Sequence, residues 1–299
     1  MPNAEPILRV RHLLTRFDPD LGGSPQGRAA VDDVSFDVPR AGILGLLGES
    51  GSGKSLTALS ILRLLPPGAH SVAGAIEFDG KNLLGLPETE LRAVRGRGIA
   101  MIFQEPSIAL SSVHTVGEQL AMALQASGQL GSRRWFESSR RAAQTRACEL
   151  LARVELPDAK RVLDLYPHQL SAGMRRRVMI ALGVACRPRL LIADEPTTGL
   201  DAPIQAQILD LLVRLVQEDG MSMIFITHDL CVVAEVATEL VVLSAGQVVE
   251  AGPARQILEQ PQHAYTASLL DSIPGHRSRP AVAPRAALSA GAASRGAEP

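Results

Sequence analysis

The stretch Gly48-Glu49-Ser50-Gly51-Ser52-Gly53-Lys54-Ser55 constrains this chain more than any other, because it fits the phosphate-binding pattern G-x-x-x-x-G-K-[ST]. Its surroundings suit the pattern. Upstream, Ile43-Leu44-Gly45-Leu46-Leu47 is a short apolar run of the kind that forms a buried parallel strand. Downstream, Ser55 to Leu65 has helical character and meets Pro66-Pro67, where a helix would stop. Glycines let the backbone curl so that successive N–H groups face one anion at the positive end of a helix. Lys54 would then place its ammonium on the β- and γ-phosphates, and the Ser55 hydroxyl would ligate Mg²⁺. A nucleoside triphosphate site is therefore expected.

The rest of the composition narrows the setting. A chain of 299 residues has ample material for a core, and a formal net charge of −1 supplies no global basic field for nucleic acid. Met1 to Val10 lacks the charged-then-apolar pattern of a secretion signal. No apolar run approaches the ~20 residues that a membrane span needs. The cysteines, Cys148, Cys186 and Cys231, lie far apart without disulfide or metal-ligand spacing, which fits a reduced, cytoplasmic compartment. A role at a membrane would have to come through partner proteins.

Taken in order, Ile7 to Leu14 alternates as a half-exposed strand, with Leu8, Val10 and Leu14 expected on one face and Arg9 and Arg11 on the other. Phe17 follows, then the polar loop Pro19 to Gly27, then a second strand within Ala29 to Val38. Phe17 lies where an aromatic could stack on adenine, or could equally be an ordinary packing residue. Gly74 to Phe78 reads as a short strand turning at Asp79-Gly80, and Ile99 to Phe103 as a buried strand delivering Gln104. The carboxyl end of such a strand is where α/β sheets bind ligands. From Glu105 to about Leu170 the pattern is helical, with a capping box at Thr115 and Glu118 and a stop at Gly128. Arg133 to Val154 carries arginines on one face, without interleaved aromatics, and reads as a solvated face. Ser171 is a good N-cap for the helix through Met174 to about Cys186. Leu190 to Ala193 is a strand ending in Asp194-Glu195, and adjacent carboxylates at a strand end suit Mg²⁺. Ile208, Leu211, Leu212, Leu215 and Val216 form a helical apolar stripe, Met223 to Ile226 a strand delivering His228, and Leu240 to Leu243 the last core strand. Arg277 to Pro299 has the composition of a disordered tail.

Five motifs now stand in one order: the phosphate loop, Gln104 in MIFQEP, LSAGMRRR, LLIADEPTTGLD and His228. Together they resemble the ATP-binding subunit of an ABC transporter across roughly residues 7 to 275. The resemblance implies an α/β fold, a P-loop NTPase (RecA-like) core with an antiparallel β subdomain and an inserted α-helical subdomain. It places an ATP-binding domain at residues 1–275, with the helical insertion at about 105–180, a C-terminal extension at about 252–275, and a tail at 276–299.

The same resemblance implies roles. ATP would be held by Phe17 on the adenine and by Gly48, Glu49, Ser50, Gly51, Ser52, Gly53, Lys54, Ser55 and Leu56 on the phosphates. Asp194 would hold Mg²⁺ through water, with Ser55 and Gln104 as further ligands. Glu195 would act as general base, and His228 would touch the γ-phosphate. Such subunits pair head-to-tail, so Ser171 and Gly173 would bind the γ-phosphate of the opposite chain, with Asp201 at the dimer seam. GESGSGKS, YPHQLS and QPQHAYTASLLDSIP are similar to the peptide- and nickel-importer class. That class implies two multi-span permeases, a second ATPase (a different chain or a second copy), an extracytoplasmic solute-binding protein reached indirectly, no nucleic acid, and residence on the cytoplasmic face of the membrane.

Departures from the family pattern matter. Ala172 stands where the signature usually has its first glycine, and its methyl could crowd the phosphate in trans, making that the weaker site of a heterodimer. Arg176 replaces the usual glutamine. No cysteine follows Cys231, so the iron–sulfur cluster of some members is not expected. Soluble ABC ATPases acting on ribosomes or DNA are the alternative class. They normally carry two ATPase units or a long coiled coil, whereas this chain has one phosphate loop and no sustained heptads.

Overall fold

The computed structural model describes residues 5–18, 29–128 and 137–272. The loop Pro19–Gly27, the start of the arginine-rich stretch at Arg133 and the tail Arg277–Pro299 lie outside the described residues. The elements begin with β1 (Leu8–Phe17), β2 (Val31–Val38), β3 (Ile43–Leu47), α1 (Lys54–Leu62), β4 (Ala69–Phe78), β5 (Lys81–Asn82) and α2 (Glu88–Val94). Next come β6 (Ile99–Ile102), α3 (Pro106–Ala109), α4 (Val116–Ala126), α5 (Glu137–Arg153), α6 (Ala159–Leu163), α7 (Ala172–Ala185) and β7 (Leu190–Asp194). The order closes with α8 (Ala202–Asp219), β8 (Ser222–Thr227), α9 (Leu230–Val236), β9 (Glu239–Ser244), β10 (Gln247–Pro253), α10 (Ala254–Glu259) and α11 (Ala264–Asp271). By internal contacts the chain forms one unit up to Leu91 and again from Val216, and a second unit at Arg92–Leu215.

In the first unit, β3 runs parallel to β8 on one side and to β9 on the other, and β10 continues antiparallel beyond β9. Every residue of β3 and β8 is buried, which is why neither alternates in sequence: strands covered on both faces are apolar throughout. The chain therefore adds one strand after the stretch Leu240 to Leu243, which was expected to be the last of the core. Leu47, Val233, Leu240, Val242, Ile257 and Leu270 share one cluster that ties the C-terminal helices α10 and α11 to this sheet.

The antiparallel sheet of this unit has the order β2-β1-β4-β5. Here the alternation expected for β1 fails halfway. Leu8 and Val10 are buried as expected, but so is Leu13, while Leu14 is only half-buried. The cause is a bulge: His12 sits at φ 49 and the register against β4 shifts between Arg11 and Leu14. An extra residue in one strand turns every later side chain to the other face. Gly74 makes room for it, since a Cβ there would lie 2.6 Å from the carbonyls of Arg11 and His12. The turn at Asp79-Gly80 forms with positive φ at both residues (55 and 78), as a two-residue hairpin loop favours.

Helix α1 ends before the prolines rather than at them. Arg63 adopts φ 51, and Leu64 N donates to Leu59 O at 2.9 Å, a Schellman-type closure. Pro66-Pro67 thus follows a stop already made.

In the second unit, β6 and β7 pair in parallel, and α4 to α7 form the helical part. The capping box is present in both directions: Glu118 N donates to Thr115 Oγ1 at 3.2 Å, and Thr115 N to Glu118 Oε2 at 2.8 Å. Along α5, Ala143, Ala147, Leu150 and Leu151 are buried, with Val154 just beyond, while Arg141 is exposed and Arg146 pairs with Glu149. Helix α7 lies close against β6 because position 183 is glycine; a Cβ would come within 3.0 Å of Ile102.

Candidate functional site

Register decides where the functional side chains emerge. In the first unit Leu47 of β3 pairs with Thr227 of β8, so Gly48 and His228 leave the sheet side by side from the carboxyl ends of adjacent parallel strands. In the second unit Ile102 of β6 pairs with Ala193 of β7, so Gln104 and the Asp194-Glu195 pair leave side by side in the same way.

The phosphate loop owes its path to its glycines. A Cβ on Gly48 would strike the Leu243 carbonyl and the Ser52 hydroxyl, and one on Gly53, at φ 99, would lie 2.6 Å from Ala30 O. Lys54 is buried, with Nζ donating to Gly48 O at 2.7 Å and Glu49 O at 2.8 Å. Loop carbonyls therefore hold the ammonium in place, and a buried cation without such acceptors would be costly. Glu49 N also donates to Tyr265 Oη at 3.3 Å, linking α11 to the loop. Ser55 and Leu56 are half-buried in the first turn of α1, where Thr57 N donates to Gly53 O at 2.8 Å. His228 is exposed, one residue before Asp229, which caps α9 by accepting from Cys231 N at 2.8 Å and Val232 N at 3.3 Å. Phe17 is the half-buried last residue of β1, paired with Ala69.

In the second unit Asp194 and Glu195 are both buried, at 4% and 7% exposure. Glu195 stands at φ 43, a left-handed conformation costly for a residue with a Cβ, and such residues concentrate at functional sites. Its Oε2 accepts from Gln104 Nε2 at 3.0 Å and from Thr198 Oγ1 at 2.9 Å. Two donors on one oxygen fix the carboxylate's rotamer. Sequence reasoning named Gln104 and missed Thr198; a hydroxyl residue three positions beyond a strand-end carboxylate was the available signal. It also treated Arg176 only as a departure. In the structure that side chain is buried, donating to Gln104 O at 2.8 Å, Phe103 O at 3.4 Å and Thr198 O at 3.2 Å. Burial draws its pKa below the ordinary arginine value.

The stretch Ser171-Ala172-Gly173 opens α7. Ser171 Oγ accepts from Met174 N at 3.2 Å, so its N-cap role is met, and Ser171 and Ala172 are both exposed. A Cβ on Gly173 would meet Ile204 at an ordinary 3.6 Å. Asp201 is exposed and caps α8 by accepting from Ile204 N at 3.0 Å.

The donor set suits Mg²⁺. Within the second unit the buried Asp194 carboxylate and the Gln104 amide carbonyl offer oxygen, and within the first the Ser55 hydroxyl does. Mg²⁺ takes few protein oxygens and completes its shell with water and substrate phosphate.

Comparison with known proteins matches these features. Residues 31–198 match the family model described as ABC transporter, and residues 249–294 the one described as oligopeptide/dipeptide transporter, C-terminal region. The probable peptide ABC transporter ATP-binding protein y4tR of Sinorhizobium fredii is 48% identical over 277 residues, 92% of this chain and 79% of the relative. The dipeptide transport ATP-binding protein DppD of Escherichia coli is 47% identical over 268 residues, 90% and 78% respectively. Among solved structures, the dimeric post-hydrolysis state of the ATP-binding cassette MJ0796 with ADP and phosphate aligns with TM-score 0.70 at 26% identity, covering 83% of this chain and 99% of that one. With the phosphate loop, the buried Asp194-Glu195 pair and the exposed α7 cap in the family's order, this chain belongs to the ATP-binding subunits of ABC transporters.

Proposed function

We propose that this chain is the ATP-hydrolysing subunit of a peptide importer, bound to the cytoplasmic face of a membrane through two multi-span permeases. Among the described residues no helix is long and apolar enough to cross a membrane, and the reading has the permeases supply the attachment. The observation that carries the enzymatic reading is the Glu195 carboxylate, buried at the end of β7 and aimed by Gln104 and Thr198. The peptide assignment rests on the C-terminal match and on the relatives' names.

The reaction is transfer of the γ-phosphoryl group of ATP to water, which gains from positioning and charge rather than covalent chemistry. The N–H groups of the loop from Gly48 to Leu56, together with the Lys54 ammonium, bind and neutralise the phosphates. Ser55, Gln104 and Asp194 would hold Mg²⁺, which would supply positive charge to the phosphates. Glu195 accepts a proton from the attacking water, Gln104 and His228 orient that water and the γ-phosphate, and Phe17 stacks on adenine. A second ATPase subunit, identical or not, completes each site head-to-tail, with Ser171 and Gly173 meeting the γ-phosphate bound to the other chain and Asp201 at the seam. The exposure of Ser171 and Ala172 supports that pairing. Hydrolysis removes the phosphate that bridges the chains, and the opening is passed to the permeases.

Uptake in the native host tests the substrate class. Deleting the gene should abolish uptake of labelled di- and oligopeptides and leave nickel uptake intact, with recovery on complementation. Loss of nickel uptake alone would move the assignment to a metal importer.

A further inference from the structure

The Arg176 side chain closes a ring. Its Nη1 donates to the carbonyl of Gln104 at 2.8 Å and its Nη2 to that of Thr198 at 3.2 Å. The side chains of those same two residues donate to one oxygen of Glu195, at 3.0 and 2.9 Å. One buried guanidinium thus ties together the strand end after β6 and the turn after β7, the places from which Glu195 is held.

This cation is buried at unusual cost. Only 4% of Arg176 is exposed, each hydrogen bond resolved for it goes to a backbone carbonyl, and its buried Nε finds no acceptor. A group that served stability alone would be better replaced by a neutral one, since an unpaired charge in the interior is penalised and each unsatisfied donor adds to that. A glutamine at this position would donate through one nitrogen on a shorter stem. It cannot span both carbonyls as the planar fork of arginine does.

We propose that Arg176 is a positioning residue for hydrolysis, fixing the backbones of Gln104 and Thr198 so that their side chains hold Glu195 in one orientation. The proposal rests on the reading of Glu195 as general base. Arg176 acts through its two anchors, the carbonyls of Gln104 and Thr198. Loosening them leaves the phosphate loop intact, so ATP binding stays and the chemical step slows.

The test is steady-state ATP hydrolysis by the intact protein, with kcat and KM separated, beside nucleotide affinity and melting temperature. Arg176→Met should keep ATP affinity and KM within about threefold while kcat falls by about ten- to a hundredfold, the range expected when a reacting group is displaced by up to an ångström. Arg176→Lys, with an ammonium able to reach the carbonyls, should recover part of kcat. Thr198→Val should lower kcat too, and its combination with Arg176→Met should cost less than the product of the single effects, because both act on Glu195. If Arg176→Met does not fold, the same split is read on Arg176→Gln. A lowered melting temperature with unchanged kcat, or fully multiplicative effects of Arg176 and Thr198, would overturn the proposal. Glu195→Gln run in parallel separates the two readings. If it hydrolyses normally, the base assignment fails; if it is inactive while the Arg176 variants keep wild-type kcat, only the present proposal fails.

Discussion

Replacing Arg177 by methionine tests how the helix that opens at Ser171 is anchored. The guanidinium is 9% exposed and donates to Val154 O at 2.9 Å, Glu155 Oε2 at 2.8 Å and Gln207 Oε1 at 3.0 Å. Methionine fills the volume of the alkyl stem, so the loss is mainly polar. Leaving the Val154 carbonyl without its donor costs about 1–2 kcal/mol. The ion pair contributes less, about 0.5–1 kcal/mol, because the Glu155 side chain is 44% exposed and keeps Arg214 at 2.8 Å. The sum, about 1.5–3 kcal/mol, corresponds to a melting temperature lower by roughly 2–5 °C for a chain of 299 residues, at about 2.1 cal/mol/K of unfolding entropy per residue.

Differential scanning calorimetry reads the shift, and pH separates its parts. The hydrogen bond from Arg177, opposed by partial burial and aided by Arg214, holds the Glu155 carboxyl below its ordinary value of 4.5. A depressed carboxylate pKa contributes stability that is present above the unfolded value and lost as pH falls through the folded one. The gap between wild type and Arg177→Met should therefore be constant near neutrality and narrow below pH 4.5, without closing, because the Val154 and Gln207 bonds do not titrate. A shift under about 1 °C at neutral pH, or a gap that widens in acid, would show that Arg177 does not anchor the helix in this way.

Other expectations follow from single contacts. Lys54→Met should weaken ATP binding by about ten- to a hundredfold, the worth of one charge-assisted contact to phosphate, read by titration with a fluorescent ATP analogue. Gly48→Ala should abolish nucleotide binding, because the added methyl meets Leu243 O and Ser52 Oγ and the loop must move; unchanged affinity in the same titration would count against that path. Asp229→Ala removes the cap of α9, accepting from Cys231 N and Val232 N, and should cost about 1 kcal/mol, seen as a melting temperature lower by roughly 1–2 °C.

Much of this architecture was legible in the sequence because its signals are local. Continuous apolar runs at Ile43–Leu47 and Leu190 to Ala193 announce strands covered on both faces, and the residues after them announce what those strands deliver. Thr115 and Glu118 mark a helix start three residues apart, and both bonds form. What stayed hidden depends on neighbours distant in sequence. The bulge at His12 needs the missing Cβ of Gly74, on a strand more than sixty residues later, and no pattern inside Ile7 to Leu14 reports it. The end of α1 depends on Arg63 accepting φ 51, which no propensity favours strongly enough to outvote two prolines nearby. Motif order brings Gln104 and Glu195 to notice as separate residues. That Thr198 and Arg176 complete a ring with them follows only from the pairing of β6 with β7 and the placement of α7.

The central claim, that Glu195 is the base of an ATP-hydrolysing site, is tested most directly by single-turnover hydrolysis with Glu195→Gln. Radiolabelled ATP is bound to an excess of protein with Mg²⁺, and phosphate release is followed beside ATP affinity. Affinity should stay within about threefold of wild type and hydrolysis should slow by about a hundredfold or more, since a positioned general base contributes about 10²–10⁴ in rate. Turnover near the wild-type rate with ATP fully bound would contradict it.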